Sequence, residues 1–154
     1  MFSSPYLQPK WLLRWVAIAV VLFGLIQLIP FGRTHSDPPV VQEPAWNSPQ
    51  TRQLAVEACY ACHSNQTQWP WYSNVAPVSW FTELDVLFGR HRLNFSDWTA
   101  NQMSTSRIVG SIQSGKMPPI WYTPMHPKSR LTAAQRQALI QGLEATLGAT
   151  GNHH

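Results

Sequence analysis

The sequence predicts an all-α fold: a small helical domain preceded by an apolar N-terminal helix and a proline-rich linker. Three observations carry that expectation. Nowhere do apolar and polar residues alternate as in a half-buried strand. Apolar residues recur instead at helical spacing, in segments that open on a capping residue and close at glycine. Charged residues are only 12% of the 154 positions, among eight tryptophans and thirteen prolines, a composition suited to a small domain wrapped around something apolar. The charge balance also argues against nucleic acid as a partner. Of the net +4, three charges belong to Lys10, Arg14 and Arg33 beside the apolar N-terminus. From Thr34 onward eight Lys/Arg face seven Asp/Glu, and no basic cluster forms.

The elements follow in order. Trp11 to Phe31 is an apolar run whose only charge is Arg14. As a helix it would measure about 30 Å, the hydrocarbon thickness of a bilayer. Arg14 can snorkel to the headgroups, Trp11 and Trp15 suit the interface, and Pro30 with Gly32 ends the helix. The expectation is therefore a transmembrane anchor over 11–31 with residues 1–10 in the cytoplasm. A cleaved signal peptide, cut near the small residues Thr34-His35-Ser36, is the alternative. Residues 32–48 read as an extended linker lifting the domain off the membrane.

The domain itself is expected over 49–148. Ser48-Pro49 has the form of an N-cap with proline in the first turn, starting a helix through Leu54 and Ala58. Residues 66–78, broken by Pro70 and Pro77, should be irregular. Ser79 caps a helix whose Trp80, Leu84, Leu87 and Phe88 keep helical spacing up to Gly89. Another helix begins near Ser96–Trp98, breaks around Ser104, and carries Ile108, Val109 and Ile112 to Gly115. After a loop rich in proline, Thr132 and Gln135 match a capping box. Leu139, Ile140, Leu143 and Leu147 then form one stripe that ends at Gly148, leaving 149–154 as a tail.

Both cysteines fall in one motif, Cys59-Tyr60-Ala61-Cys62-His63. This is the C-x-x-C-H spacing of covalent c-type haem attachment. Each thiol can add to one haem vinyl group, and the next histidine is then placed as proximal iron ligand. Other readings exist. A disulfide here would close too short a loop to stabilise much. A thioredoxin-like dithiol needs a strand before it. Zinc would need a distant partner such as His91 or His126 and lacks a second paired motif. For the opposite side of the iron, Met117 in Gly115-Lys116-Met117-Pro118 is the candidate, because Pro118 holds the preceding residue extended. Met125 and His126 are its rivals, and Met103 is expected to be packing.

The long pattern around these residues resembles a known family. "CHSNQTQWPWYSNVAPVSW", "GRHRLNFSDW" and "GKMPPIWYTPMHPKSRLT" together look like the haem-binding-domain family, anchored monohaem c-type proteins of bacteria. The resemblance covers about residues 38–147. It departs at Ala61, where an acidic residue is more usual. It implies one covalent haem c in a small helical domain, with Cys59 and Cys62 as attachment points and His63 on the iron. Separately, the loop around Met117 resembles the distal-ligand loop of small class I cytochromes c, where methionine precedes proline. It also implies a single-pass protein of the bacterial cytoplasmic membrane, its C-terminal domain on the periplasmic side.

Given such a cofactor, the aromatic residues Trp69, Trp71, Tyr72, Trp80, Trp98, Trp121 and Tyr122 are expected along the haem crevice. Arg90 and Arg92 are candidates for the haem carboxylates. No nucleophile or acid–base pair is visible near the motif, so one-electron transfer is expected rather than enzymatic turnover. Its partners would be redox proteins or a membrane electron-transfer complex. A haem-carrying accessory subunit, or a sensor or peroxidase with an open sixth position, are the alternatives.

Overall fold

A computed structural model describes residues 9–98 and 103–148, which form six α-helices and two short 3₁₀ turns, and no strand beyond one isolated bridge. The helices are α1 (Pro9–Ile26), α2 (Pro49–Ala58), α3 (Tyr60–His63), α4 (Val78–Arg92), α5 (Thr105–Gln113) and α6 (Ala133–Gly148). The all-α expectation holds. The expected tail, 149–154, and residues 1–8 lie outside the described residues.

The transmembrane anchor expected over Trp11–Phe31 is not borne out. Helix α1 runs over Pro9–Ile26, 18 residues, or about 27 Å at 1.5 Å per residue, and its first turns carry Lys10 and Arg14. Its backbone passes into tighter turns from Gln27 onward, ahead of Pro30. The Gln27 side-chain amide there donates to Ala76 O at 2.8 Å and accepts from Ala76 N at 3.0 Å. Among the described residues no helix is long and apolar enough to cross a membrane. The single-pass placement in a bacterial membrane, with a periplasmic domain, is corrected with it.

The chain divides into two compact units, residues 1–35 with 70–84, and residues 36–69 with 85–154. The first holds α1, the Trp71–Asn74 turn and the start of α4. The second holds the core. There α6 packs against both α2 and α5. Leu54 and Ala55 of α2 meet Ile108, Val109 and Ile112 of α5 and Leu139, Ile140, Leu143 and Leu147 of α6. The predicted stripe of α6 is thus its buried face.

Capping follows the sequence closely. Ser48 Oγ accepts from Thr51 N at 3.2 Å with Pro49 in the first turn. Gln135 N donates to Thr132 Oγ1 at 3.2 Å and Gln135 Oε1 accepts from Thr132 N at 2.9 Å, a reciprocal capping box. Helix α5 stops before Gly115, whose φ of +70° is left-handed.

Where α6 crosses α2, Gly142 has no room for a side chain: a Cβ would overlap Thr51 Oγ1. Gly110, in α5, has nothing within 4 Å of the same position. Alanine is intrinsically favoured over glycine in a helix by about 1 kcal/mol. Gly110→Ala is therefore expected to stabilise the protein by about 0.5–1 kcal/mol. Gly142→Ala is expected to destabilise it by about 1–3 kcal/mol through overpacking. Thermal unfolding of the two variants checks the opposite signs.

Three further differences from the sequence reading have physical causes. From Ser36 onward the linker is a strap on the second unit: Val41 N and Gln42 N donate to Ser96 O at 2.8 and 3.2 Å, and Trp98 N donates to Gln42 O at 2.9 Å. Arg52 pins it further, donating to both Glu43 oxygens at 2.7 Å, with Trp46 Nε1 adding a bond at 2.9 Å. The Arg52 bond holds the Glu43 carboxyl below the usual carboxylate range. Ser96–Trp98 consequently forms a turn and bridge, not a helix start, and α5 begins only at Thr105. Finally, α4 does not bury its apolar stripe. Leu87 and Phe88 are exposed, while Ser79, Glu83, Val86 and Gly89 are buried.

Candidate functional site

The motif is one tight turn hung from the end of α2. Cys59 N still donates to Ala55 O at 2.8 Å, while Cys59 O accepts from Cys62 N at 3.2 Å and His63 N at 2.9 Å. This places both thiols and the imidazole within one turn, Cys59 capping α3 and Cys62 and His63 closing it. Between the cysteines Tyr60 turns the other way, stacking on Phe95 with ring centroids 5.7 Å apart, and Phe95 stacks in turn on Trp98 at 5.9 Å. The motif is thus bolted to the core by its middle and presents its ends.

His63 is held on every side. Its ring Nδ1 lies 3.0 Å from Gly89 O and 3.1 Å from Leu93 O, and its own carbonyl accepts from Phe95 N at 2.8 Å. Since both ring partners are acceptors, the proton sits on Nδ1 and Nε2 keeps its lone pair. Burial pushes the His63 pKa down, the two carbonyl bonds opposing that only in part, so the ring is neutral at neutral pH. A neutral imidazole with its second nitrogen oriented by backbone carbonyls is the form that ligates a metal.

This cradle requires Gly89. A Cβ there would overlap Cys62 O and stand 3.0 Å from Cys62 Cβ. Next to it Arg90 donates to Ser64 O at 2.7 Å, Ser36 O at 2.6 Å, Asp37 Oδ1 at 2.8 Å and Thr67 Oγ1 at 3.0 Å.

Cys59, Cys62, His63 and Met117 line a single cavity of about 340 Å³, with Ala58, Phe88, Pro119, Trp121 and Tyr122 as further apolar wall. Asp85, Arg92 and Lys116 are its charged members. Both cysteines are free thiols and partly buried. Burial pushes Cys59 up to about 12, with Cys62 adding to it. Burial and the Asp85 charge push Cys62 up to about 11, against a smaller opposing effect of Arg90. They are protonated at neutral pH and are poor thiolate ligands as they stand. Among the described residues no three His, Cys, Asp or Glu side chains are placed to hold a metal ion. The zinc alternative therefore finds no donor set there.

Of the three candidates for the far side of an iron, only Met117 lines this cavity, though it is exposed like Met125; His126 stacks on Tyr122 at 3.7 Å. Trp121 and Tyr122 line the cavity as well, and Trp121 Nε1 lies 3.5 Å from Asp85 Oδ2. The other predicted aromatics sit elsewhere. Trp98 packs against the core, as does Met103, and Trp69 Nε1 donates to Asp37 at 2.9 Å. Trp71, Tyr72 and Trp80 belong to the first unit, where Trp71 is exposed and Trp80 Nε1 is buried without a hydrogen-bond partner. Arg90 is not on the cavity wall and Arg92 is.

Comparison with protein families matches residues 21–145 to the haem-binding domain. The chain belongs to the haem-binding-domain family. Comparison with curated proteins and with solved structures finds no match. The residues present fit the group that names the family. A haem-binding-domain protein needs an apolar slot with an imidazole facing into it, and the cavity beside His63 supplies both. The thiols and the ring line that same cavity.

Sequence reasoning missed Asp85, Phe88 and Gly89 as cavity residues, and Lys116 beside Met117. The signal existed in part: Asp85, Phe88, Gly89 and Arg92 are spaced i, i+3, i+4, i+7, one face of α4.

Proposed function

We propose that this haem-binding-domain protein is a monohaem c-type electron carrier. Cys59 and Cys62 would each hold the haem through a thioether, the sulfur bonding one vinyl carbon and the thiol hydrogen passing to the other. His63 would ligate the iron through Nε2 and Met117 through its thioether sulfur. When bound, the group supplies a one-electron ferrous/ferric couple. The chain's part is to fix His63 through Gly89 O and Leu93 O, to surround the slot with Phe88, Trp121 and Tyr122, and to exclude water. The observation that carries the reading is the convergence of Cys59, Cys62, His63 and Met117 on one cavity, His63 having its Nδ1 already committed.

The matured protein is expected to keep its colour through acid–acetone extraction. Its alkaline pyridine spectrum should be that of a haem with two thioether links, and Cys59→Ser with Cys62→Ser should lose both properties. Ferric protein should show the weak far-red sulfur–iron band, and Met117→Ala should abolish it. Colour that extracts freely from the parent would end the covalent reading. A parent without the far-red band would remove Met117 as ligand.

A further inference from the structure

Two cavities meet at the motif. Ala58, Cys59 and Met117 stand on the walls of both the cavity described above and a second one of about 230 Å³. Neither is large by itself, at 340 and 230 Å³, against roughly 300–1,000 Å³ for an ordinary small-molecule site. One bulky ligand reaching across the shared wall is the simplest occupant of the pair.

The two ends differ in charge. The first cavity sets Asp85 among its cations Arg92 and Lys116. The second is lined by Arg130 and Arg136 and by no carboxylate. Ile112, Pro118, Leu131 and Leu139 give it an apolar wall, with Thr123 and Ser129 as uncharged polar members. The Arg130 guanidinium is oriented by its own loop, Nε donating to Thr123 O at 2.9 Å and Nη2 to Pro124 O at 3.3 Å. Those bonds use two of its five N–H donors and hold the fork in place. An apolar chamber with two guanidiniums and no acid fits the carboxylate-bearing edge of an otherwise apolar ligand. Arg90, the sequence-level candidate for that task, already has four polypeptide acceptors. At the other end Asp85 would repel a carboxylate.

We propose that Arg130 and Arg136 form the carboxylate-binding end of the haem site, receiving the propionates in the second cavity. The proposal rests on the haem reading above and assigns the end of the site that reading leaves open.

Two measurements test it. In the ferrous wild-type holoprotein, nuclear Overhauser contacts from the propionate methylene protons are expected at Leu131 and Leu139. Contacts at Phe88 and Asp85 instead overturn the proposal, and this experiment needs no variant to fold. Second, Arg130→Gln with Arg136→Gln should raise the pKa of the proton coupled to the midpoint potential by about one pH unit or more, since a nearby opposite charge depresses a carboxyl by about one to three. Arg130→Lys with Arg136→Lys should return most of that shift, and Arg107→Gln with Lys128→Gln should produce none. A shift that follows Arg92→Gln with Lys116→Gln, or that appears in neither cavity's pair, overturns the proposal. The alkaline pyridine spectrum of each sample separates the two levels of failure. Normal haem c content without the shift removes the carboxylate site alone, whereas a parent lacking covalent haem removes the reading beneath it.

Discussion

Gly89→Ala is expected to lower the stability of the purified protein by about 1–3 kcal/mol and, with His63 on the haem iron as proposed, to raise the midpoint potential. Helix propensity alone predicts the opposite, since alanine gains about 1 kcal/mol over glycine. Packing decides the sign. The new methyl would overlap Cys62 O and press on Cys62 Cβ, a clash between two backbones that no side-chain rotation relieves. Overpacking of this kind costs about 1–3 kcal/mol. Moving α4 away stretches the bonds of 3.0 and 3.1 Å from His63 Nδ1, at about 1 kcal/mol for a hydrogen bond lost. The redox effect comes from the same bonds. A carbonyl that accepts from Nδ1 makes the imidazole a stronger donor through Nε2 and favours ferric iron. Weakening it lets the potential rise. Denaturant unfolding and a redox titration, with Gly110→Ala beside it, check both halves. A stabilised Gly89→Ala protein with an unmoved potential would remove Gly89 O from the account of His63.

Much of this molecule could be read before its structure, and the failures have physical reasons. Helix starts depend on neighbours in sequence, so Ser48-Pro49 and the Thr132–Gln135 box appear where expected. The stripe of α6 is visible because all its members are apolar. The cavity face of α4 is not, because Asp85, Phe88, Gly89 and Arg92 share a side for four different chemical reasons. Hydrophobic periodicity picks out Trp80, Leu84, Leu87 and Phe88, of which only Phe88 is on that face, and Leu87 and Phe88 are exposed. The overlong reading of α1 has a similar origin. Gln27 looks like a tolerable polar residue in an apolar run, yet the backbone tightens there and its side-chain amide is taken by Ala76, distant in sequence. Aromatic residues misled by number. Trp46 and Trp98 pack around Phe95 and Tyr60 in the core, so they belong to the wall behind the motif and not to the cavity before it.

Arg90→Met is expected to cost about 2–3 kcal/mol and, on the proposed haem c reading, to leave covalent haem content and the redox-linked proton where they are. Methionine keeps the apolar length of the stem and removes every donor. Four acceptors lose their partner at once: Ser64 O, Ser36 O, Asp37 Oδ1 and Thr67 Oγ1. The Arg90 side chain is 13% exposed and the Asp37 side chain 36%, so water can rehydrate the carboxylate but reaches the Ser64 carbonyl less easily. Unsatisfied buried groups cost about 1–3 kcal/mol each and a broken buried ion pair about 3–5; the exposure of Asp37 puts the sum at the low end. Because Ser64 follows His63 directly, the strap over 36–37 and the turn that carries His63 are fastened by one side chain. Arg90→Lys keeps the charge but not the fork, and should recover less than half of the loss. Thermal unfolding of the three proteins decides the matter, read together with the pH dependence of their potentials. If Arg90→Met leaves stability within about 0.5 kcal/mol of the parent, the ordinary range for surface changes, and moves the redox-linked proton instead, then Arg90 serves the haem carboxylates and not the strap.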